Sequence, residues 1–369
     1  MSPVPYLDLS RARARIAPAL AARWQGILDA NAFVLGPEVK EFECSFCGLL
    51  ESRGVVAVAN GTDALVVALR ALGLAPGDEV IVPAFSFFAT AECVVLAGGT
   101  PVFCDIDPAT FNLDPDDCAA RVSEHTVGVI GVHLYGRPFD FARLREVVAA
   151  RGLWLVEDAA QAHGARWRGR RVGTLGELAT WSFYPTKNLG AFGDGGAVSG
   201  MDEELLKKVQ RLANHGQTSR YHHVEVGTNS RLDSLQAAVL NLRLATLDED
   251  NAARRRWDAL YREGLAGVGD LRFPLDHPDD ECVVHQETIA TARRDELQAF
   301  LAARGIGSSV HYPSPLHRQP ALADLLPEPP ELPHAERAAR EVLCLPMFAE
   351  LTEPEVAETV DAVRAFYGA

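Results

Sequence analysis

The chain has no apolar run long enough to cross a bilayer. Its opening stretch, MSPVPYLDLSRARARIAP, has no apolar core of the kind that directs secretion. Both absences point to a soluble protein of the cytoplasm. Positive charge is also scarce: 35 Lys and Arg against 50 Asp and Glu give a net charge of −15. That balance argues against nucleic-acid binding, and no basic helix-turn-helix extension is present. It leaves room for an anionic ligand, because a local group of cations can oppose the global field. The seven cysteines are an odd count without a secretion signal, so they are expected to stay reduced. Cys44 and Cys47 form a CxxC in EVKEFECSFCGLL, which reads as helical. No second CxxC completes a metal site, so packed thiols and no metal are expected. There is no internal repeat, and PEPPELP (327–333) reads as a local loop rather than a linker.

What the chain does have is alternation. Its 369 residues suffice for one large and one small domain, and 48% hydrophobic and 23% charged residues are ordinary for a globular protein. Apolar runs VVAVAN (55–60), EVIVPA (79–84), TPVFCDID (100–107), TVGVIGVHLYG (126–136), LWLVEDA (153–159) and LATWSFY (178–184) alternate with helical patterns. These runs are continuously apolar rather than alternating, as strands covered on both faces should be. The fold class read from them is α/β, a mostly parallel central sheet covered by helices. A long helix is expected from Arg231 onward, linking to a smaller α+β C-terminal domain. That domain takes CVVHQETIAT and GSSVHYP as strands, RRDELQAFLAARGI as a helix and a last helix from Glu353. The division expected is 1–245 for the large domain, whose N-terminal segment can pack on the small one, and 246–369 for the small domain.

The chemistry concentrates at strand ends. SFYPTKNLGAFGDGG (182–196) puts Lys187 between a strand end and a glycine-rich turn, among apolar and aromatic neighbours. Desolvation there favours a neutral amine able to attack a carbonyl. LWLVEDAAQAHG offers Asp158 at another strand end, followed by Gln161 and His163, the last without an assigned role. An anion for a ring nitrogen and an amine for an aldehyde are what pyridoxal phosphate requires. In AVANGTDALVVAL, Gly61 and Thr62 open a helix whose start suits a phosphate; alone, this stretch reads as an ordinary helix cap at Asn60 or Thr62, and beside Lys187 and Asp158 it reads as a phosphate cradle. Ser182 is a second phosphate donor. Phe85, Phe87 and Phe88 follow a strand, and one of them is placed to stack on a flat ring. Arg220, His222 and His223 read equally as contacts for an anionic substrate and as a solvated loop.

Taken together these motifs resemble a known family. LGPEVKEFE (35–43), NGTDAL (60–65), VPAFSFFATAE (82–92), PVFCDID (101–107), VHLYG (132–136), EDAAQAHGA (157–165), SFYPTKNLGAFGDGG and GTNSRLDSLQAAVL (227–240) are similar to those of the pyridoxal-phosphate-dependent sugar aminotransferases called DegT/DnrJ/EryC1/StrS, of fold type I. The likeness spans residues 30–245 and continues weakly through VHYPSPLHRQP (310–320). The resemblance implies that Lys187 is the Schiff-base lysine, Asp158 the partner of the pyridine nitrogen and Gln161 a contact of the phenolic oxygen. It implies a phosphate cup of Gly61, Thr62 and Ser182, and Phe87 stacking on the ring. Asn229 and Arg231 fall in the segment that reaches a neighbouring subunit's phosphate site, so a homodimer with shared active sites is implied. Tyr312 and His317 fall where the family places substrate.

The resemblance also implies a reaction. An amino donor, L-glutamate, leaves its nitrogen on the cofactor as pyridoxamine phosphate, and a nucleotide-linked keto-sugar takes it up. DIDPATFNLDP and GTNSRLD are closer to members that act on 3-keto sugars. A 4-keto sugar or a cyclitol ketone stands as the alternative, with a dehydratase or a non-catalytic cofactor-binding regulator further off. Relatives with His at the lysine position dehydrate; this chain keeps Lys187. Glu287 stands where an aromatic residue is common, which puts the local substrate contacts in question.

Overall fold

The computed structural model describes residues 3–369. Thirteen strands are present: β1 Gly54–Val58, β2 Glu79–Pro83, β3 Thr100–Cys104, β4 Thr126–Val132, β5 Trp154–Asp158, β6 Arg166–Trp167, β7 Arg170–Arg171, β8 Leu178–Ser182, β9 Gly196–Gly200, β10 Gln217–Ser219, β11 His222–His223, β12 Glu287–Ala290 and β13 Val342–Leu345. Seven of them make one sheet in the order β1-β9-β8-β5-β4-β2-β3. β9 runs antiparallel to both its neighbours, and the remaining pairs are parallel. The pairs β6–β7, β10–β11 and β12–β13 stand apart as two-stranded units.

The helices are α1 Leu9–Ala30, α2 Pro37–Leu50, α3 Gly61–Leu72, α4 Ala89–Ala97, α5 Pro115–Ala120, α6 Phe141–Arg151, α7 Glu203–Ala213, α8 Ser234–Leu244, α9 Leu247–Gly264, α10 Arg294–Ala302, α11 Pro333–Glu341 and α12 Glu353–Tyr367. They cover both faces of the sheet, which explains the unbroken apolar strands. Val55, Ala57, Ala179 and Trp181 pack with Phe42 and Phe46 of α2. Their neighbours Val56, Val58, Leu178 and Val198 pack on the other face with α3 and α7. Trp181 meets Phe46 edge-on at 5.1 Å between ring centroids, and Phe183 meets Phe42 in the same way at 5.1 Å. Truncating Trp181 to Ala is expected to cost roughly 3–5 kcal/mol, as for other large core rings.

The second unit is built on β12 and β13, covered by α9, α10 and α12, with Tyr261, Ile289, Leu297, Leu343 and Val363 at its centre. Val4 joins that core and bridges to Ile306, so the chain's opening packs against its C-terminal third. A further core crosses residue 245: Leu316, Leu332, Ala335 and Val342 pack with Leu65, Val82, Phe103 and Val132.

The sequence reading needs four corrections. The helix expected from Arg231 starts only at Ser234, because Leu232 turns into the core and Asp233 keeps an extended backbone, and it breaks again between α8 and α9, where Thr246 leaves the helical conformation. GSSVHYP is no strand; it makes one isolated bridge, Ser309 to Cys344. Only Glu287–Ala290 of CVVHQETIAT pairs as a strand, since Val283 and His285 donate instead to the carbonyls of Gly136 and Tyr135. β9, too rich in glycine to read as a strand, went unanticipated and lies second in the sheet.

Candidate active site

Three strand ends converge at one edge of the sheet. Gly196, at the start of β9, lies opposite both Val58 at the end of β1 and Ser182 at the end of β8. Asp158 ends β5, beside Thr180 of β8 and Val132 of β4. A cavity of about 540 Å3 opens over these ends, a size suited to a cofactor or small substrate.

Lys187 lies one turn beyond β8, its N–H closing on the Tyr184 carbonyl at 2.8 Å. The side chain is half-buried on the cavity wall. Loss of hydration pushes its pKa down to about 8, against the pull of Asp158. A neutral amine is therefore accessible near neutral pH. Asp158 is buried and well held: Oδ1 accepts from the Ala160 N–H at 3.2 Å and Oδ2 from the Thr90 hydroxyl at 3.0 Å. Thr90 Oγ1 spends its proton on Asp158, so Ser86 donates to Thr90 across 2.9 Å. Burial raises the Asp158 pKa, and the two hydrogen bonds, Lys187 and His133 restrain it.

The opposite corner suits an anion. The Asn60 side chain caps α3 by accepting from Asp63 N–H at 2.8 Å. The N–H groups of Gly61 and Thr62 then begin the helix without helical acceptors. A Cβ at Gly61 would stand 2.6 Å from Ser182 Cβ and 3.1 Å from its Oγ, so only glycine lets the helix start approach that hydroxyl. On the far wall, Gln161 Oε1 accepts from the Tyr135 N–H at 2.6 Å and Nε2 donates to the Tyr312 hydroxyl at 3.2 Å. The exposed Phe87 ring lies 6.1 Å from that of Tyr312. These groups fit pyridoxal phosphate: an amine for its aldehyde, a carboxylate for its ring nitrogen, and a helix start with a hydroxyl for its phosphate.

Residues 15–364 match the model of the DegT/DnrJ/EryC1/StrS aminotransferase family. The chain belongs to that family. The match exceeds the 30–245 expected from the motifs and takes in the C-terminal unit. A dTDP-3-amino-3,4,6-trideoxy-alpha-D-glucose transaminase of Streptomyces venezuelae is 46% identical over 361 residues, 98% of this chain and 95% of that protein. A pleiotropic regulatory protein of Geobacillus stearothermophilus is 44% identical over 366 residues, 99% of this chain and 98% of that one. The crystal structure of S. venezuelae DesV in complex with a ketimine intermediate superposes with a TM-score of 0.97, at 45% identity and covering 100% of both chains.

In this aminotransferase the cavity gathers Gly61, Thr62, Phe87, Asp158, Gln161, Ser182, Lys187 and Tyr312. Six other residues singled out from sequence lie off its wall. Arg220, His222 and His223 sit on or beside the exposed β10–β11 hairpin, where the Arg220 guanidinium stacks on Tyr221. Asn229 bridges to Asn214, and Arg231 reaches the Asn214 side chain at 3.4 Å. His317 is not a wall residue: a short turn over Leu316–Arg318 folds its ring into the core, against Phe103 and within 3.2 Å of Glu336. Glu287, questioned as a substrate contact, is also off the wall. It is buried on β12, facing Asp258 and Arg137, and burial pushes its carboxyl well up.

Sequence reasoning passed over Ser86, Thr90, Asp194, His285, Gln286 and His311. Ser86 and Thr90 carried a legible signal, two hydroxyls one helical turn apart in the apolar FSFFATA. His285 and His311 carried none, because loops distant in the chain bring them in. His163 is a buried neutral ring between Trp181 and Phe183, its pKa pushed down to about 3 by burial and by Lys187.

Proposed function

We propose that this aminotransferase uses pyridoxal phosphate to move an amino group from an amino acid, L-glutamate, to the 3-keto carbon of a nucleotide-linked sugar. The observation that carries the reading is the pairing, across one cavity, of the Lys187 amine with the buried, hydrogen-bonded Asp158 carboxylate. Bound, the cofactor supplies an aldehyde and a ring that takes up the electron pair left when the donor's Cα–H bond breaks. The chain supplies the rest. Asp158 holds a positive charge at the ring nitrogen, with Thr90 and Ala160 keeping the carboxylate aimed. Lys187 in its neutral form would take the Cα proton and pass it to the carbon on the far side of the transferred nitrogen, the former aldehyde carbon. Gly61, Thr62 and Ser182 anchor the phosphate, Phe87 covers the ring and Gln161 meets its hydroxyl side. The choice of C3 over C4 is supported by the 3-amino sugar named for the Streptomyces relative.

The working unit in this reading is a cytoplasmic homodimer with shared sites. Among the described residues, Lys187 is the sole Lys or Arg on the cavity wall. A nucleotide diphosphate and a donor carboxylate need more cations than one, and in this reading Arg220, His222, His223 and Arg231 of a second copy supply them. A non-catalytic regulator is the second reading, favoured by the name of the Geobacillus relative. The test feeds loaded enzyme with L-glutamate and separate nucleotide-linked 3-keto and 4-keto sugars, and locates the new amine by NMR. Amine at C3 supports the proposal. Amine at C4, or release of 2-oxoglutarate without an aminated sugar, overturns the substrate. No transfer to any ketone, with cofactor bound, favours the regulator.

A further inference from the structure

The residue after Lys187 is fully engaged on one side of the cavity. Asn188 Nδ2 donates to the Val283 carbonyl at 3.0 Å and to Asn251 Oδ1 at 2.9 Å. Asn251 Nδ2 in turn donates to the His163 carbonyl at 2.8 Å. Carbonyls only accept, so both amides have a forced orientation. Asn188 is left with its Oδ1 facing His285 Nδ1 at 3.0 Å, and an amide oxygen there requires the ring proton on Nδ1. His285 Nε2 must then carry the lone pair.

The backbone that carries the ring is fixed on both sides: the His285 backbone N–H donates to the Tyr135 carbonyl at 2.8 Å, and the His285 backbone carbonyl accepts from buried Arg254 at 3.2 Å. His285 lines the cavity with Lys187, and among the described residues no protein donor fills Nε2. Burial, with Lys187 and Arg254 nearby, keeps the imidazole neutral. A neutral acceptor of fixed tautomer thus shares the cavity wall with a lysine that must carry a proton part of the time.

We infer that His285 is a positioning residue for Lys187: its Nε2, held as an acceptor by the Asn188–Asn251 amide chain, takes a hydrogen bond from the Lys187 ammonium and sets where the protonated amine waits. The inference rests on Lys187 as the proton carrier of the proposed reaction. It requires nothing of the sugar. The charge of the amine also acts on Asp158 of β5, His163 and His311; Arg243 of α8 acts on His163 and Arg254 of α9 on His285. All of these stay in place in the variants below.

The test titrates the amine rather than turnover. The full chain, without cofactor and again with pyridoxamine phosphate, is pulse-labelled by an amine-selective acylating reagent across pH, and labelling of Lys187 is read by mass spectrometry. His285→Leu removes the acceptor and is expected to lower the labelling midpoint by about one pH unit, as loss of a charge-assisted hydrogen bond should. His285→Gln, which restores an acceptor oxygen, is expected to return the midpoint close to wild type. Asn188→Ala frees the tautomer and is expected to shift it down as well, which keeps the inference testable should the leucine variant not fold. Equal midpoints in wild type and Asn188→Ala, or a glutamine variant that behaves like the leucine one, overturn it. Because the readout is labelling, a failure of the sugar assignment leaves this result readable.

Discussion

Lys187 combines two demands that oppose each other. In the proposed reaction it must be neutral to attack, and as a side chain in a folded wall it loses hydration. The structure meets both by letting burial lower its pKa from an ordinary 10.5 to about 8. That shift has a sign in stability. Below pH 8 the group is charged in both states and the fold disfavours the charge, so its cost is present in full. Between 8 and 10.5 the folded chain sheds the proton first and the cost fades. Lys187→Met in the cofactor-free full chain is therefore expected to melt at a higher temperature than wild type below pH 8. The advantage should shrink as pH rises toward 10.5, and thermal melts across that range check it. Lys187, Asp158 and Ser182 were legible from sequence because each ends or follows a strand and stands out against apolar neighbours. His285 was not, since its role depends on Asn251 and Val283, brought to it only by tertiary folding. His317 misled for the converse reason: a polar ring in a promising segment found its partner, Glu336, inside the fold.

At the scale of elements, the site depends on how closely α3 approaches the end of β8. Gly61 makes that approach possible, and Asn60 caps the helix without using the N–H groups of Gly61 or Thr62. Gly61→Ala places a methyl 2.6 Å from Ser182 Cβ, which pushes the helix start and the hydroxyl apart. The variant is expected to fold and to bind pyridoxal phosphate more weakly by about tenfold or more, the loss of one charge-assisted hydrogen bond. Equilibrium dialysis measures it. The parallel strands were legible because burial on two faces leaves continuous apolar runs. β9 was not, because Gly196 and Gly200 remove the β-branched signature and only pairing with β1 and β8 makes it a strand. The break between α8 and α9 was equally silent, since Arg231–Gly264 is polar and apolar at helical spacing throughout. We propose that the same break, at residues 245–246, marks the division between the two lobes, although core contacts cross it.

The whole molecule carries a strong negative charge, −15, yet the proposed substrates are anions. The cations that would receive them lie off the cavity of their own chain, at Arg220 and Arg231. If the sites are shared, Lys187→Ala and Arg231→Ala are each deficient as homodimers but complement when mixed and reassembled. About a quarter of wild-type activity per chain is expected, since random pairing makes half the dimers mixed and each mixed dimer holds one intact site. Mixtures no more active than their parents would place Arg231 outside the neighbour's site. In the proposed reaction Lys187 and Asp158 together run a transamination. The most direct test follows the visible absorbance of the protein loaded with pyridoxal phosphate while L-glutamate is added, with 2-oxoglutarate assayed alongside. The visible band should disappear with one 2-oxoglutarate released per site, and neither change should occur in Lys187→Ala. A wild-type band that persists through saturating glutamate, or release that survives in Lys187→Ala, would rule that transamination out.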